Sequence, residues 1–291
     1  MDTSRAFFRL FGFWIASLCF LPAPAPAAAV FNVDLGAANF GNLKQTDVTN
    51  CGAGGLFACG PTAAVNSLFF LQKQYPGIYD SKLLLDSNRN GFDYQDLIDT
   101  ANALSDPAFM DCAVCNGGTF LSKFISGKMK WIESKLPGRT VYQDRLNPLW
   151  QFVFDELGHK EDVELLFGFY DAAGTRIGGH YVTLTSFMWT DTNMDGIVDV
   201  GEGASLGFID AATGMLTPSS LFQGALGSVL RTDYGVGQFI DIPGRGRVAI
   251  AQTRIDSAIS ESPIPEPDTV ALLALGLACL VARHWRRERV R

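Results

Sequence analysis

Four cysteines and two histidines lie between residues 30 and 264 of this 291-residue chain: Cys51, Cys59, Cys112, Cys115, His159 and His180. Cys59 stands in Ala58-Cys59-Gly60-Pro61-Thr62-Ala63-Ala64, directly before a stretch that reads as a helix from Gly60 to Lys73. Pro61 suits a first helical turn, and Ala64, Val65, Leu68, Phe69 and Leu71 supply an apolar face. A thiol at a helix N-terminus meets unpaired N–H groups and the positive end of the dipole, and both favour the thiolate a nucleophile needs. His180 opens a strand-like run in Gly178-Gly179-His180-Tyr181-Val182-Thr183-Leu184, placed to take the thiol proton. Asp210 ends the next such run, in Phe208-Ile209-Asp210-Ala211, placed to orient the imidazole. Neighbouring antiparallel strands bring such side chains within hydrogen-bond reach, so His and Asp need not be close in sequence. The chemistry implied by these three groups is acyl transfer through a thioester.

A second constellation lies between His180 and Asp210. Residues 191–202 read Asp-Thr-Asn-Met-Asp-Gly-Ile-Val-Asp-Val-Gly-Glu. This spacing puts oxygen ligands at positions 1, 3, 5, 7, 9 and 12 of an EF-hand-type loop, with glycine at position 6 for the sharp turn. The expected ligands of a calcium ion are Asp191, Asn193, Asp195, the Ile197 carbonyl, Asp199 and Glu202. Strands rather than helices flank the loop, so the ion is expected to be structural, stiffening the link between His180 and Asp210. The run from Asp86 to Asp96 resembles the same template, but its last acid comes one residue early.

Cys112 and Cys115 form Cys-Ala-Val-Cys. Zinc would need two further ligands, with Cys51 and His159 the available pair; in an exported chain a disulfide is the expected use of such cysteines. With Cys59 free, one of Cys51, Cys112 and Cys115 is left over, and the pairing stays open. His159 lies in a polar turn and is expected to be exposed.

Around these residues, the Asp86–Asp96 stretch reads as an Asn- and Asp-rich loop. Val163–Tyr170, His180–Trp189 and Ser205–Asp210 read as strands, and Gln238–Ile242 with Arg247–Ala251 as a closing hairpin about Pro243-Gly244. Phe222–Ile255 otherwise carries no chemical motif. A helix followed by an antiparallel sheet gives an α+β fold class, and no repeat of solenoid length is present.

Cys59-Gly60-Pro61-Thr62-Ala63, then Gly179-His180-Tyr181-Val182, then Ile209-Asp210 resemble the motifs of papain-like cysteine peptidases. The resemblance is strongest to the double-glycine (bacteriocin) leader peptidase branch and its stand-alone relatives, and it runs from about Gln45 to Gly214. It implies a papain-like cysteine peptidase fold, with an N-terminal helix carrying Cys59 packed on a sheet carrying His180 and Asp210. It also implies Cys59 as nucleophile, His180 as base, Asp210 as orienting acid, and Gln45 as oxyanion donor. Gln45 departs from the family pattern, lying fourteen residues before Cys59 but six before Cys51. Cys51 as nucleophile is disfavoured, because Gly52–Gly55 is a poor helix start; an inserted loop at Gly52–Phe57 reconciles the spacing with Cys59.

The two ends read as sorting signals. Arg5 and Arg9, the apolar run Phe11–Leu21 and the small residues Ala27-Ala28-Ala29 make residues 1–29 a secretory signal peptide. At the other end, Pro265-Glu266-Pro267 precedes the apolar stretch Thr269–Ala282 and five arginines. Its 14 residues make a short transmembrane segment, since about 20 are usual; the arginines would hold the end on the cytoplasmic side. This order resembles the PEP-CTERM sorting signal of Gram-negative bacteria. The resemblance implies signal peptidase and exosortase as processing enzymes, with release or attachment at the cell surface or in extracellular matrix. The expected organisation is a signal peptide at 1–29, a peptidase-like domain at 30–260 with the calcium loop at 191–202 inserted, and a sorting signal at 264–291.

The ends hold seven of the arginines and four of the acids; between them lie 16 basic and 26 acidic residues, a net of −10. So acidic a domain repels nucleic acid and excludes it as a partner. The expected activity is that of an exported thiol hydrolase acting on peptide or protein substrates. Two rivals use the same residues: a non-catalytic calcium-binding surface or matrix protein, and a related acyltransferase or amidase. The displaced Gln45, and an oxidising compartment that threatens a free thiol, favour the first of these.

Overall fold

The structure, a computed structural model, describes residues 27–264 apart from 53–54, 88–90, 113–117 and 243. Its central helix, α1 (Cys59–Gln74), starts one residue before the expected position and has Pro61 in its first turn. It is buried almost all round rather than on one face, as befits a helix wrapped by other elements. Phe70, not Phe69, is fully buried, stacked on Phe40 with ring centroids 4.4 Å apart. The buried Asn66 on α1 is matched: its Oδ1 accepts from the Leu43 amide at 2.9 Å.

A short α2 (Pro76–Tyr79) follows, then α3 (Tyr94–Leu104) and α4 (Leu121–Lys135). The expected loop to Asp96 therefore ends early. Asp93 caps α3, its carboxylate accepting from the Gln95 and Asp96 amides while Asp96 accepts from the Asp93 amide. That reciprocal capping box starts a helix where composition alone suggested a turn. Val65, Leu68 and Leu71 pack with Leu97 and Leu104 of α3 and with Phe124 and Trp131 of α4 in one core.

The strands interleave with helices more than a helix-then-sheet order implies. They are β1 (Ala29–Asp34), β2 (Thr140–Leu146), β3 (Asp162–Tyr170), β4 (Arg176–Asp191), β5 (Ser205–Asp210), β6 (Met215–Phe222), β7 (Arg231–Thr232) and β10 (Gln252–Pro263). Helix α5 (Trp150–Gly158) sits between β2 and β3. Among the described residues these strands form one eight-stranded antiparallel sheet. Its pairings return on themselves through β4, β3, β10, β7, β6 and β5, because β4 bonds β3 along its first half and β5 along its middle. The ring encloses a second core that includes Phe167, Val182, Leu184, Phe208 and Ile255. The expected closing hairpin forms as β8 (Phe239–Ile242) with β9 (Gly246–Ala249), a separate two-stranded sheet. The architecture is mixed α and β, a large antiparallel sheet with a few helices.

Candidate active site

The first turn of α1 lies against β4, where the Thr183 hydroxyl donates to the Ala63 carbonyl at 2.8 Å. This contact brings the helix start carrying Cys59 beside the strand carrying His180. Cys59 is the first residue of α1, free and nearly buried, and the preceding Ala58 offers no side-chain cap. Burial pushes its thiol pKa up, but the hydrogen bond and charge of His180, with the amides of Tyr181 and Gly60, outweigh burial and hold it below its ordinary value.

Register places Asp210 opposite Val182, so His180 is its diagonal neighbour across the β4–β5 pair. The His180 Nε2 lies 2.7 Å from Asp210 Oδ1. A carboxylate acceptor puts the proton on Nε2 and leaves Nδ1 for Cys59. Burial opposes an imidazolium here, but Asp210 and Cys59 prevail and push the His180 pKa up to about 9. Asp210 is held below its ordinary value: burial raises it, but His180, the Ala212 amide at 2.8 Å and the Tyr234 hydroxyl at 3.0 Å overcome that. The three expected residues thus stand in one chain, thiol beside imidazole beside carboxylate.

Tyr234 is the member that sequence reasoning missed. Its hydroxyl donates to Asp210 Oδ2, and its ring lies parallel to His180, centroids 5.8 Å apart and planes 10° apart. It follows β7, which the ring of strands draws between β6 and β10; no periodicity in the sequence marks it. A Tyr234→Phe variant keeps the stacked ring and removes the hydrogen bond, so it should lose about 1–2 kcal/mol of stability at neutral pH. Without that donor the folded-state pKa of Asp210 rises. The loss should therefore be full above the unfolded carboxyl pKa of about 3.9 and shrink as the pH falls below it toward the lowered folded-state value of Asp210. Urea unfolding at pH 7 and pH 3 measures both.

Gln45 is buried in a short helical turn, and its Nε2 donates to the Leu56 carbonyl at 3.3 Å, three residues before Cys59. The turn after the glycine-rich run folds back onto it. Gly55 has φ +71°, and a Cβ there would stand 2.0 Å from the Gln45 carbonyl oxygen, so only glycine fits. The fourteen-residue separation is thus shortened in space. Cys51 is bonded to Cys112, which removes it both as a rival nucleophile and as a zinc ligand; Cys115 lies outside the described residues. His159 is exposed at the end of α5.

Beside Cys59 opens a cleft of about 370 Å³, lined by Phe120, Leu146, Leu166 and Tyr181 and by the Arg176–Asp256 ion pair. Asp256 sits at a register shift in β10, where its carboxylate accepts from Arg176 Nε and from the Tyr170 hydroxyl, each at 2.8 Å. The wall of the cleft is therefore apolar with one fixed polar corner.

The six expected calcium ligands all fall on the segment from the end of β4 to β5: Asp191 ends β4 and Glu202 ends a one-turn helix at Val200–Glu202. Part of the second stretch, 88–90, lies outside the described residues, and Asp93 and Asp96 are engaged in capping α3. Elsewhere, Asp162, Glu164 and Glu261 converge in the interior. There Lys128 supplies the cation, its Nζ 2.7 Å from Asp162 and in contact with both glutamates.

Residues 263–287 match the PEP-CTERM protein-sorting motif, which begins on the last residue of β10. The motif marks the chain for export to the cell envelope or surface of a bacterium and implies processing by an exosortase. The apolar stretch 269–282 lies outside the described residues; among the described residues no helix is long and apolar enough to cross a membrane. No curated protein matches the chain.

Proposed function

We propose that the chain is an exported thiol hydrolase of papain-like fold, a cysteine peptidase working at the surface or in the extracellular matrix of a Gram-negative bacterium. The observation that carries the reading is the free Cys59 at the start of α1, engaged by His180, whose far nitrogen lies 2.7 Å from Asp210.

In this reading the Cys59 thiolate attacks the carbonyl carbon of a peptide bond and forms a C–S bond. Gln45 donates to the developing oxyanion. The His180 imidazolium gives its proton to the leaving amine as the C–N bond breaks, leaving a thioester. Neutral His180 then takes a proton from water, whose oxygen attacks the thioester and releases the acid and the thiolate. Asp210 keeps the imidazole in the useful orientation and stabilises its charge, while Tyr234 holds Asp210 as a positioning residue. Activity requires the thiolate and the imidazolium together. It should rise as pH passes the lowered thiol pKa and fall as pH passes the His180 value of about 9.

The test is hydrolysis of a mixed peptide library by the purified protein, with products read by mass spectrometry. Cleavage is expected in the wild type and not in Cys59→Ala. Cleavage that persists in Cys59→Ala would remove the thiol from the mechanism. No cleavage by either protein would favour a non-catalytic surface protein on this fold. Added amine nucleophile separates a peptidase from an acyltransferase, which would yield amides in place of acids.

A further inference from the structure

We infer that the loop from Asp191 to Glu202 binds a calcium ion, a claim that stands apart from the peptidase reading. The spacing of its oxygen donors is that of a twelve-residue calcium loop, and Gly196 at position 6 has φ +72°, the left-handed turn such a loop needs.

A second observation points to an ion. Asp191 is only 5% exposed, and its carboxylate faces into the loop: Oδ2 accepts from the Gly196 amide at 3.0 Å. Its other oxygen, Oδ1, is buried with no hydrogen-bond partner. A buried carboxylate oxygen without a donor calls for a positive partner. The loop itself offers none, since residues 191–202 contain four carboxylates and no lysine or arginine. The Asn193 amide stands between two of those carboxylates, its nitrogen 3.0 Å from Asp195 Oδ2 and 3.5 Å from Asp199 Oδ2. Its oxygen accepts from the Asp195 amide at 3.1 Å, so the side chain folds back along the loop. Hard oxygen donors in a flexible loop, one of them a backbone carbonyl, suit calcium better than the smaller, rigidly octahedral magnesium.

The placement gives the ion a task. Asp191 ends the strand that carries His180, and Glu202 lies three residues before the strand that ends in Asp210. Closing the loop pins together the two strands that hold those residues. Glu202 also accepts from Trp189 Nε1 at 2.9 Å, Trp189 stacks on Phe31 of β1, and Trp150 of α5 donates to the Gly196 carbonyl at 3.1 Å. Loading the loop therefore ties the amino-terminal strand and α5 to the same hairpin. Extracellular calcium modules bind with Kd on the order of 10⁻⁴–10⁻³ M; a site in that range would fill after export.

The two indoles allow a direct test. Terbium chloride is titrated into chelator-treated purified protein with tryptophan excitation. Saturable sensitised emission, displaced by calcium chloride but not by equimolar magnesium chloride, is expected, together with a calcium-dependent rise in Tm. Glu202→Gln and, separately, Asp195→Asn should weaken both responses by roughly 10–100-fold while leaving the calcium-free Tm within a few degrees. Asp195 is an exposed loop residue, so its variant guards against a folding defect at Glu202. Unchanged emission in both variants would place the ion elsewhere, such as the Asp162, Glu164 and Glu261 cluster, and overturn the inference. So would an absence of saturable emission, or a Tm that ignores calcium.

Discussion

A His180→Ala variant should hydrolyse peptides roughly 10²–10⁴-fold more slowly than the wild type, the usual contribution of a positioned acid–base group. The reason lies in the couplings at the site. His180 is the strongest influence holding the Cys59 thiol below its ordinary pKa against burial, and it is the group that would protonate the leaving amine. Removing it leaves burial to push the thiol up, so at pH 6–7 the thiolate becomes scarce, with a tenfold loss for each pKa unit regained. The deficit should narrow as the pH rises toward the restored thiol pKa, while the loss of the general acid persists. Initial rates between pH 6 and 9 measure both effects, and a variant as fast as the wild type at pH 6.5 would contradict the assignment.

A Lys128→Met variant should be destabilised by roughly 3–5 kcal/mol, the cost of leaving buried charge uncompensated. This corresponds to a fall in Tm on the order of 6–20 °C for a domain of this size. Lys128 is fully buried and is shared by Asp162, Glu164 and Glu261, with its Nζ 2.9 Å from Ser67 Oγ. Ser67 belongs to α1, so this cluster anchors the helix that presents Cys59. Three carboxylates around one ammonium are over-supplied with negative charge. Burial and the other carboxylates accordingly push Glu164 up to about 7 and Glu261 well above its ordinary value. Raised carboxyl pKa values mean that the folded protein holds protons the unfolded chain has lost. Their stabilising effect is complete below the unfolded pKa of about 4.3 and is lost as pH rises through about 7 for Glu164. The Lys128→Met defect should therefore be smaller at pH 5 than at pH 8, and Glu164→Gln with Glu261→Gln should recover part of it. Thermal unfolding of the single and triple variants at the two pH values measures this.

What the sequence reveals depends on whether a residue's role is local. Cys59 is marked by the Gly-Pro helix start beside it and Asp210 by the strand run it ends; His180 is read from its strand-like run too, although β4 begins earlier, at Arg176. The EF-hand spacing of residues 191–202 is likewise contained in twelve consecutive positions. Strand β10 is different. Its Ser257, Ser260 and Glu261 are buried beside apolar Ile255, Ala258 and Ile259, so its sequence shows no alternation to mark a strand. The partners of Glu261 and Ser260, Lys128 and Glu156, lie more than a hundred residues away. Helix α4 is hidden for the same reason, because Lys128 and Gly127 interrupt the apolar face of Phe124, Trp131 and Ile132. By contrast, Trp150, Val153 and Leu157 give α5 a regular helical spacing that is present in the sequence. Tyr234 reaches Asp210 only because β7 closes the ring of strands, and nothing local encodes that closure.

The most direct test of the central claim is the rate at which iodoacetamide alkylates Cys59 between pH 5 and 10, without reductant so that Cys51–Cys112 stays closed. Mass spectrometry locates the label, and Cys59→Ala sets the background. An activated thiolate predicts a rate that has already risen well below the ordinary thiol pKa of about 8.5, then stays level until His180 loses its proton near 9. A Cys59 that reacts only above pH 8.5, or not at all while the protein remains folded, would contradict the account.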